Sequence, residues 1–259
     1  MLQEMMTVVN QKEIAPDIFE MTLSGELVKE MTKPGQFIHI RIPRSDLLMR
    51  RPISLAEIDH SNHTCKIIYR TDGEGTTVLS QLKQNDLLDV LGPLGNGFEI
   101  EMVAPGDVVY VIGGGIGIPP LYQLGKELFA KGATIYFLNG FASKEVVYYE
   151  EEFKKLGELF IATDDGSCSI KGHVGNLMEE IVLQTKTPKA VFACGPSGLL
   201  RSVEERFDNH PHVYLSMEER MACGIGACYA CVCPSKKDPA KNKKVCDEGP
   251  IFKSGEVII

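Results

Sequence analysis

Four cysteines late in the chain have the residue type and spacing to hold a redox-active metal centre. Cys223, Cys228 and Cys231 stand at C-x4-C-x2-C, and Cys246 follows after a Lys-rich stretch. Three thiolates on one tight loop, joined by a fourth, can converge on a [2Fe–2S] cluster at this spacing. Gly224 and Gly226 permit the close backbone approach that such a loop needs, and main-chain N–H groups can then point at the sulfurs. Zinc also takes four thiolates, usually from two C-x2-C pairs. Buried inert thiols and a disulfide framework are further alternatives, the latter suited to small secreted chains. The spacing favours iron–sulfur ligation. Cys233 competes with Cys231 for the third place, and the x2 interval favours Cys231.

A chain of 259 residues has room for two domains and a small appendage to position these thiols. It is 44% hydrophobic and 24% charged, ordinary values for a globular protein. A net charge of −8 argues against a nucleic-acid partner, because little would neutralise a run of phosphates. The start, Met1-Leu-Gln-Glu-Met-Met-Thr-Val-Val, lacks the basic and apolar regions of a signal peptide. No apolar run approaches the roughly 20 residues that cross a bilayer, so no membrane association is expected. Eight cysteines imply a reducing compartment, and the expected location is cytoplasmic.

Residues 1–100 read as an antiparallel β domain, a sandwich or barrel. The runs Met21–Leu23, Phe37–Ile42, Ile53–Ile58, Thr64–Tyr69 and Leu87–Leu91 are punctuated by Pro34-Gly35, Ser61-Asn62 and Gly92-Pro93. Only Thr76–Lys83 has helical periodicity. Arg51-Pro52-Ile53-Ser54 puts a guanidinium and a hydroxyl three residues apart on a strand. Ile68-Tyr69-Arg70 precedes Gly75-Thr76, where a glycine leads into a helix whose first N–H groups are free for an anion. An ordinary loop and an ordinary helix cap would also account for these two stretches.

Residues 101–216 alternate strand and helix, which predicts a parallel, Rossmann-like α/β sheet. The expected strands are Val108–Ile112, Ala133–Asn139, Leu159–Thr163, Ala190–Cys194 and Val213–Ser216. The expected helices are Leu121–Lys131, Glu145–Leu156, Val174–Gln184 and Gly198–Phe207. Gly113-Gly114-Gly115-Ile-Gly117 joins the first strand to the first helix, where such sheets bind dinucleotide phosphates. Proline follows where the usual fingerprint has its last glycine. Cys194-Gly195-Pro196 follows a later strand, although Cys194 alone reads equally as a small buried hydrophobe. No arginine follows strand Ala133–Asn139, and Asp164-Asp165 follows the next one, a pattern that leans to NAD over NADP. Residues 217–259 form the small cysteine domain. Its polar excursion Ser235–Lys244 is read as solvated, and Gly255–Ile259 as a last strand.

Taken together these motifs resemble the ferredoxin–NADP reductase-like flavoproteins. Arg51, Ser54, Gly75 and Thr76 match that superfamily's Arg-x-Tyr-Ser and Gly-[Ser/Thr] elements, with Ile53 in place of the tyrosine. The resemblance implies that Arg51 and the Gly75-Thr76 turn hold the pyrophosphate of FAD and that Ser54 approaches the flavin N5. Pro52, Ile53, Ile68, Tyr69 and Arg70 are further candidate contacts. Gly-Gly-x-Gly-x-x-Pro and Cys194-Gly195-Pro196 are that superfamily's nicotinamide markers. The order of flavin domain, NAD domain and C-terminal cysteine loop looks like the electron-transfer subunits of type B dihydroorotate dehydrogenase. That resemblance implies electron flow from an FMN-containing catalytic partner, through a [2Fe–2S] cluster on Cys223, Cys228, Cys231 and Cys246 and through FAD, to NAD. It also implies a role in pyrimidine biosynthesis and a heterotetramer with two copies of each subunit. Relatives of the same layout serve sulfide, hydrogenase and ferredoxin partners.

Overall fold

The computed structural model describes residues 1–185, 187–238 and 240–259. The first half closes into a six-stranded antiparallel barrel. Its strands are β1 (Leu2–Ala15), β2 (Ile18–Ser24), β3 (Phe37–Ile40), β4 (Arg51–Asp59), β5 (Thr64–Arg70) and β6 (Leu87–Leu94). They run around the barrel in the order β1-β2-β5-β4-β3-β6. Met6, Met21, Leu23, Ile38, Leu55, Ile67 and Val90 fill the interior, each completely buried. Helix α1 (Glu74–Ser80) lies between β5 and β6. It begins two residues earlier than the periodicity predicts and takes Gly75 inside its first turn.

The second half builds a sheet from β7 (Val108–Gly114), β8 (Thr134–Phe141), β9 (Glu158–Thr163), β10 (Ile170–Lys171), β11 (Ala190–Cys194) and β12 (Val213–Ser216), with helices α2 (Pro119–Ala130), α3 (Glu150–Lys154), α4 (Val174–Gln184) and α5 (Ser197–Arg206). The central strands are apolar throughout, as double coverage by helices demands. Val109, Tyr110, Val111 and Ile112 of β7 are all fully buried. Pro119 and Pro120 occupy the first turn of α2, where the missing N–H groups cost no helical bond.

Three expectations need correction. The predicted helix Glu145–Leu156 is a short 3-10 turn at Lys144–Val146 followed by α3 alone. Tyr149 breaks it with φ of 59°. The two neighbouring rings serve different partners: Tyr148 donates to the Gly115 carbonyl, and Tyr149 donates to Glu20 of the barrel. The last strand is Ile251–Lys253, not Gly255–Ile259. Gly255, at φ of 82°, turns the chain, and Val257 keeps only an isolated bridge to Ser235. Finally, the Ser235–Lys244 excursion is not wholly solvated loop. Strand β14 (Asn242–Lys244) folds back on β13 (Val232–Pro234), and Pro239 lies outside the described residues.

The short C-terminal strand, β15 (Ile251–Lys253), pairs antiparallel with β12 and extends the sheet to β10-β9-β8-β7-β11-β12-β15. The cysteine segment is thereby held at both ends on one sheet edge. Asn96, at the end of the barrel, secures the same neck. Its side-chain amide donates to the Glu248 and Ile251 carbonyls at 3.1 and 2.8 Å, and its oxygen accepts from the Ile251 N–H at 3.1 Å. On the other flank β4 packs on α2, with the Ile58 N–H donating to Gln123 at 3.0 Å and Glu57 accepting from Lys126 at 2.6 Å. No helix among the described residues is long and apolar enough to cross a membrane.

Removing the Asn96 amide leaves the part-buried Ile251 carbonyl and N–H without this partner, at about 1 kcal/mol for each bond lost. Asn96→Ala is therefore expected to lower the thermal midpoint and to speed proteolysis near residues 248–251. Differential scanning fluorimetry and mass-mapped limited digestion check both.

Candidate functional site

One large cleft, of about 940 Å³, opens where the barrel, the sheet and the cysteine segment meet. Its barrel wall is the start of β4, from Arg51 to Ser54, together with Ile68, Tyr69, Arg70 and Thr76. Its sheet wall carries Ile116, Gly117, Cys194, Gly195 and Pro196. Its floor includes Ser216 to Met221, the segment that runs directly into Cys223. The candidate residues from two distant stretches of sequence thus face one space.

Their surroundings separate them into groups. The Arg51 guanidinium donates to the Met49 carbonyl at 2.6 Å, and among the described residues no carboxylate pairs with it. A Cβ on Gly75 would stand 2.7 Å from Arg51 Nε, so glycine there leaves the guanidinium its place on the wall. Arg50, by contrast, is committed: it bonds Asp89 and the His39 carbonyl. Arg70 pairs with Asp72 at 3.3 Å. Tyr69 turns inward, stacked on Phe19, with its hydroxyl donating to Gln11 at 2.7 Å. Its ring is thus spent on the barrel.

The glycine-rich loop divides in the same way. Gly113 and Gly114 pack against Ile118, Leu121 and Leu199 and do not line the cleft. Gly115 also stays outside the lining, at φ of 52°. Gly117 does line it, and a Cβ there would meet the Cys194 carbonyl and the Gly195 backbone at 2.6 Å. This contact seats the loop on the Cys194-Gly-Pro turn. Burial pushes the Cys194 thiol up to about 12, opposed by the Ser216 hydroxyl, so it stays protonated. Sequence reasoning missed Tyr148, whose hydroxyl reaches the Gly115 carbonyl at 2.8 Å. It fixes the peptide plane that carries the Ile116 N–H, beside the cleft.

The four predicted cysteine ligands gather on the loop that follows. Cys231 and Cys246 are buried, Cys223 is half-buried and Cys228 is exposed. Main-chain N–H groups point at sulfur: Ile225 and Cys228 to Cys223 at 3.4 Å, and Gly226 to Cys246 at 3.1 Å. Burial resists ionisation of Cys223, but these donors hold its thiol down at about 7. Burial, followed by the Cys231 thiol beside it, pushes Cys246 up to about 12. The Cys246 thiol has both Cys231 and Cys223 for neighbours. No three His, Cys, Asp or Glu side chains among the described residues converge as on a single ion. Buried Cys233 meets the Glu219 carboxylate, 3.9 Å away. Behind the loop lies a second residue missed from sequence, His39, which is wholly buried.

Comparison with known proteins places this geometry. Residues 218–258 match the iron–sulfur cluster binding domain of dihydroorotate dehydrogenase B, and residues 111–205 match an oxidoreductase NAD-binding domain. A dihydroorotate dehydrogenase B (NAD(+)) electron transfer subunit from Enterococcus faecalis is 59% identical over 99% of this chain and 98% of its own. One from Bacillus caldolyticus is 49% identical over 99% of each. The chain belongs to this family.

It is thus an oxidoreductase subunit with an iron–sulfur binding domain and an NAD-binding domain. Among solved structures, that of an NADH-dependent reduced ferredoxin–NADP oxidoreductase aligns with a TM-score of 0.87 at 28% identity, covering 98% of this chain and 90% of that one. A Neisseria gonorrhoeae ferredoxin NADP+ reductase aligns at 0.68 and 15%, covering 84% and 94%, and shares the fold. The family match bears out the expected type B electron-transfer subunit, and the barrel and parallel sheet bear out the expected fold.

Two substitutions separate packing from binding at the glycine-rich loop. Gly117→Ala drives a methyl group into the Gly195 backbone and is expected to cost about 1–3 kcal/mol of stability as well as NADH binding. Tyr148→Phe removes only a hydroxyl and should weaken NADH binding about tenfold, near 1.4 kcal/mol, with a smaller loss of stability of about 1 kcal/mol from the unpaired Gly115 carbonyl. Calorimetric titration and thermal melts distinguish the two.

Proposed function

We propose that the cleft holds FAD between the β4 wall and the Cys194–Pro196 turn, and that NAD enters along the glycine-rich loop. The reading is carried by one observation. Arg51–Ser54, Gly117 with Cys194–Pro196, and the segment leading to Cys223 share a single cavity. FAD, when bound, exchanges a hydride with nicotinamide and single electrons with an iron–sulfur cluster, which suits it to stand between them.

The residues then have distinct tasks. Arg51, free of carboxylate partners, neutralises pyrophosphate, with Gly75 and Thr76 beside it. Pro52, Ile53, Ser54 and Ile68 contact the ring system, Ile53 through apolar contact in place of stacking, and Ser54 supplies a hydroxyl to its polar edge. The backbones of Tyr69 and Arg70 complete that wall. Gly113, Gly114 and Gly115 shape the loop from behind, and Gly117, Cys194, Gly195 and Pro196 receive the nicotinamide end.

Cys223, Cys228, Cys231 and Cys246 hold the [2Fe–2S] cluster. The C-x4-C-x2-C spacing with a later fourth cysteine suits a [2Fe–2S] centre, whereas structural zinc usually draws on two C-x2-C pairs. The contact of buried Cys233 with Glu219 supports Cys231 as third ligand. Residues 1–100, 101–216 and 217–259 serve as FAD, NAD and cluster domains. The last is tied into the sheet by β15.

With its identity to the dihydroorotate dehydrogenase relatives, the chain receives electrons from dihydroorotate oxidation on the FMN of a catalytic subunit. It works in a cytoplasmic heterotetramer of two copies of each, in pyrimidine biosynthesis. NAD is the acceptor, consistent with the lack of an arginine after β8. Exposed Cys228 supports the outer edge of the cysteine loop as the side turned to the partner.

Cys228→Ser in the native complex is expected to abolish dihydroorotate-dependent reduction of NAD while leaving NADH oxidation by an artificial acceptor largely intact. Parallel assays of both reactions, with iron and acid-labile sulfide measured on the same samples, test this. Equal loss of both activities at unchanged flavin content would sink the proposed order of centres.

A further inference from the structure

Of the buried side-chain nitrogens and oxygens without a partner among the described residues, two belong to one ring, that of His39. The residue sits on β3, opposite Pro52 of β4 and Leu91 of β6, and is 0% exposed. Its carbonyl is occupied, accepting from the Arg50 guanidinium at 3.2 Å. Its imidazole is not. Buried polar atoms nearly always find partners, so a ring with neither nitrogen engaged points to a contact completed by something else.

The ring is aimed at the cysteine loop. A Cβ on Gly224 would stand 2.5 Å from His39 Nδ1 and 3.0 Å from Cε1. The Nδ1 edge therefore lies against the residue that follows Cys223, and glycine at 224 (φ of 71°) makes room for it. Main-chain acceptors of Arg50 and Cys223 flank the ring without closing a hydrogen bond of normal geometry. Cys223 Sγ receives the Ile225 and Cys228 N–H groups, and the His39 ring meets the same stretch of chain at Gly224.

We propose that His39 is a positioning residue for the iron–sulfur centre, donating a ring N–H into the sulfur shell at Cys223 and so raising the reduction potential of the cluster. The inference rests on the cluster reading above and adds to it a hydrogen bond from the flavin-side barrel. A neutral imidazole carries a single N–H to give. Hydrogen bonds to cluster sulfurs are a main determinant of potential, and groups just outside the ligands orient and tune a metal centre. His39 also links the two halves of the cleft. Its strand neighbours the Arg51–Ser54 wall, and its ring touches the loop that carries the first cysteine.

The test uses the full chain in its native complex, prepared anaerobically with ring-15N histidine and reduced. Pulsed EPR should show 15N hyperfine coupling to the cluster, and the coupling should vanish in His39→Leu. Redox titration of the same variant should give a lower cluster potential with an unchanged flavin potential, and His39→Gln, which keeps an N–H, should recover part of the shift. A normal cluster spectrum in the wild-type protein without histidine coupling overturns the proposal and leaves the cluster reading standing. Absence of any cluster signal overturns both. Should His39→Leu fail to take up iron, the wild-type coupling and the His39→Gln potential still decide.

Discussion

Ser216 faces Ile251 across the last pair of strands, and the cysteine segment between them is a loop closed at its neck. The Met217 N–H donates to the Pro250 carbonyl at 2.9 Å, one step beyond the pairing, and Asn96 of the barrel grips the same point from the other side. Backbone hydrogen bonds of a sheet leave little freedom in register, because slipping by one residue would turn every side chain to the opposite face. Fixing the neck therefore fixes where the loop emerges, over the mouth of the barrel and beside the cleft. The positions of the thiols relative to Arg51 and Gly117 follow from that closure.

Within this frame, contacts that exclude a side chain set two close approaches of the backbone. Gly117 rests on the Gly195 backbone and Gly224 on the His39 ring. Each brings two segments about a carbon atom closer than any other residue would allow, the first between two loops of the sheet and the second between the cysteine segment and the barrel. Electron transfer falls off steeply with separation, so a fold that serves it gains from thin seams. The polar bonds across the other interfaces, Tyr149 to Glu20 and Lys126 to Glu57, hold the barrel against the helices of the sheet without entering the cleft.

Much of this was legible in the chain itself. The cysteine interval, the glycine-rich turn and the strand–helix rhythm each rest on local chemistry, and local chemistry is what a sequence displays. Strand β1 was not seen because only Met6 and Val8 of its residues are buried, so the alternation that marks a half-covered strand is nearly absent. The helix expected through Tyr149 failed because two neighbouring rings answer to partners far away in sequence. Local pattern does not separate Ile251–Lys253 from Gly255–Ile259, since only the position of β12 decides which apolar run meets the sheet edge. His39 carried no signal at all. A lone histidine in Phe-Ile-His-Ile is indistinguishable from any strand residue until the loop above it is in place.

Antiparallel β15 also has a protective role. A parallel sheet ending at β12 would present a row of unpaired N–H and carbonyl groups from Val213 to Ser216, open to pairing with another chain. The segment that carries the thiols is the same one that covers this border. A fragment truncated after Ser216 would lose its iron–sulfur binding domain and gain an adhesive rim together, so the redox appendage doubles as the guard against self-association.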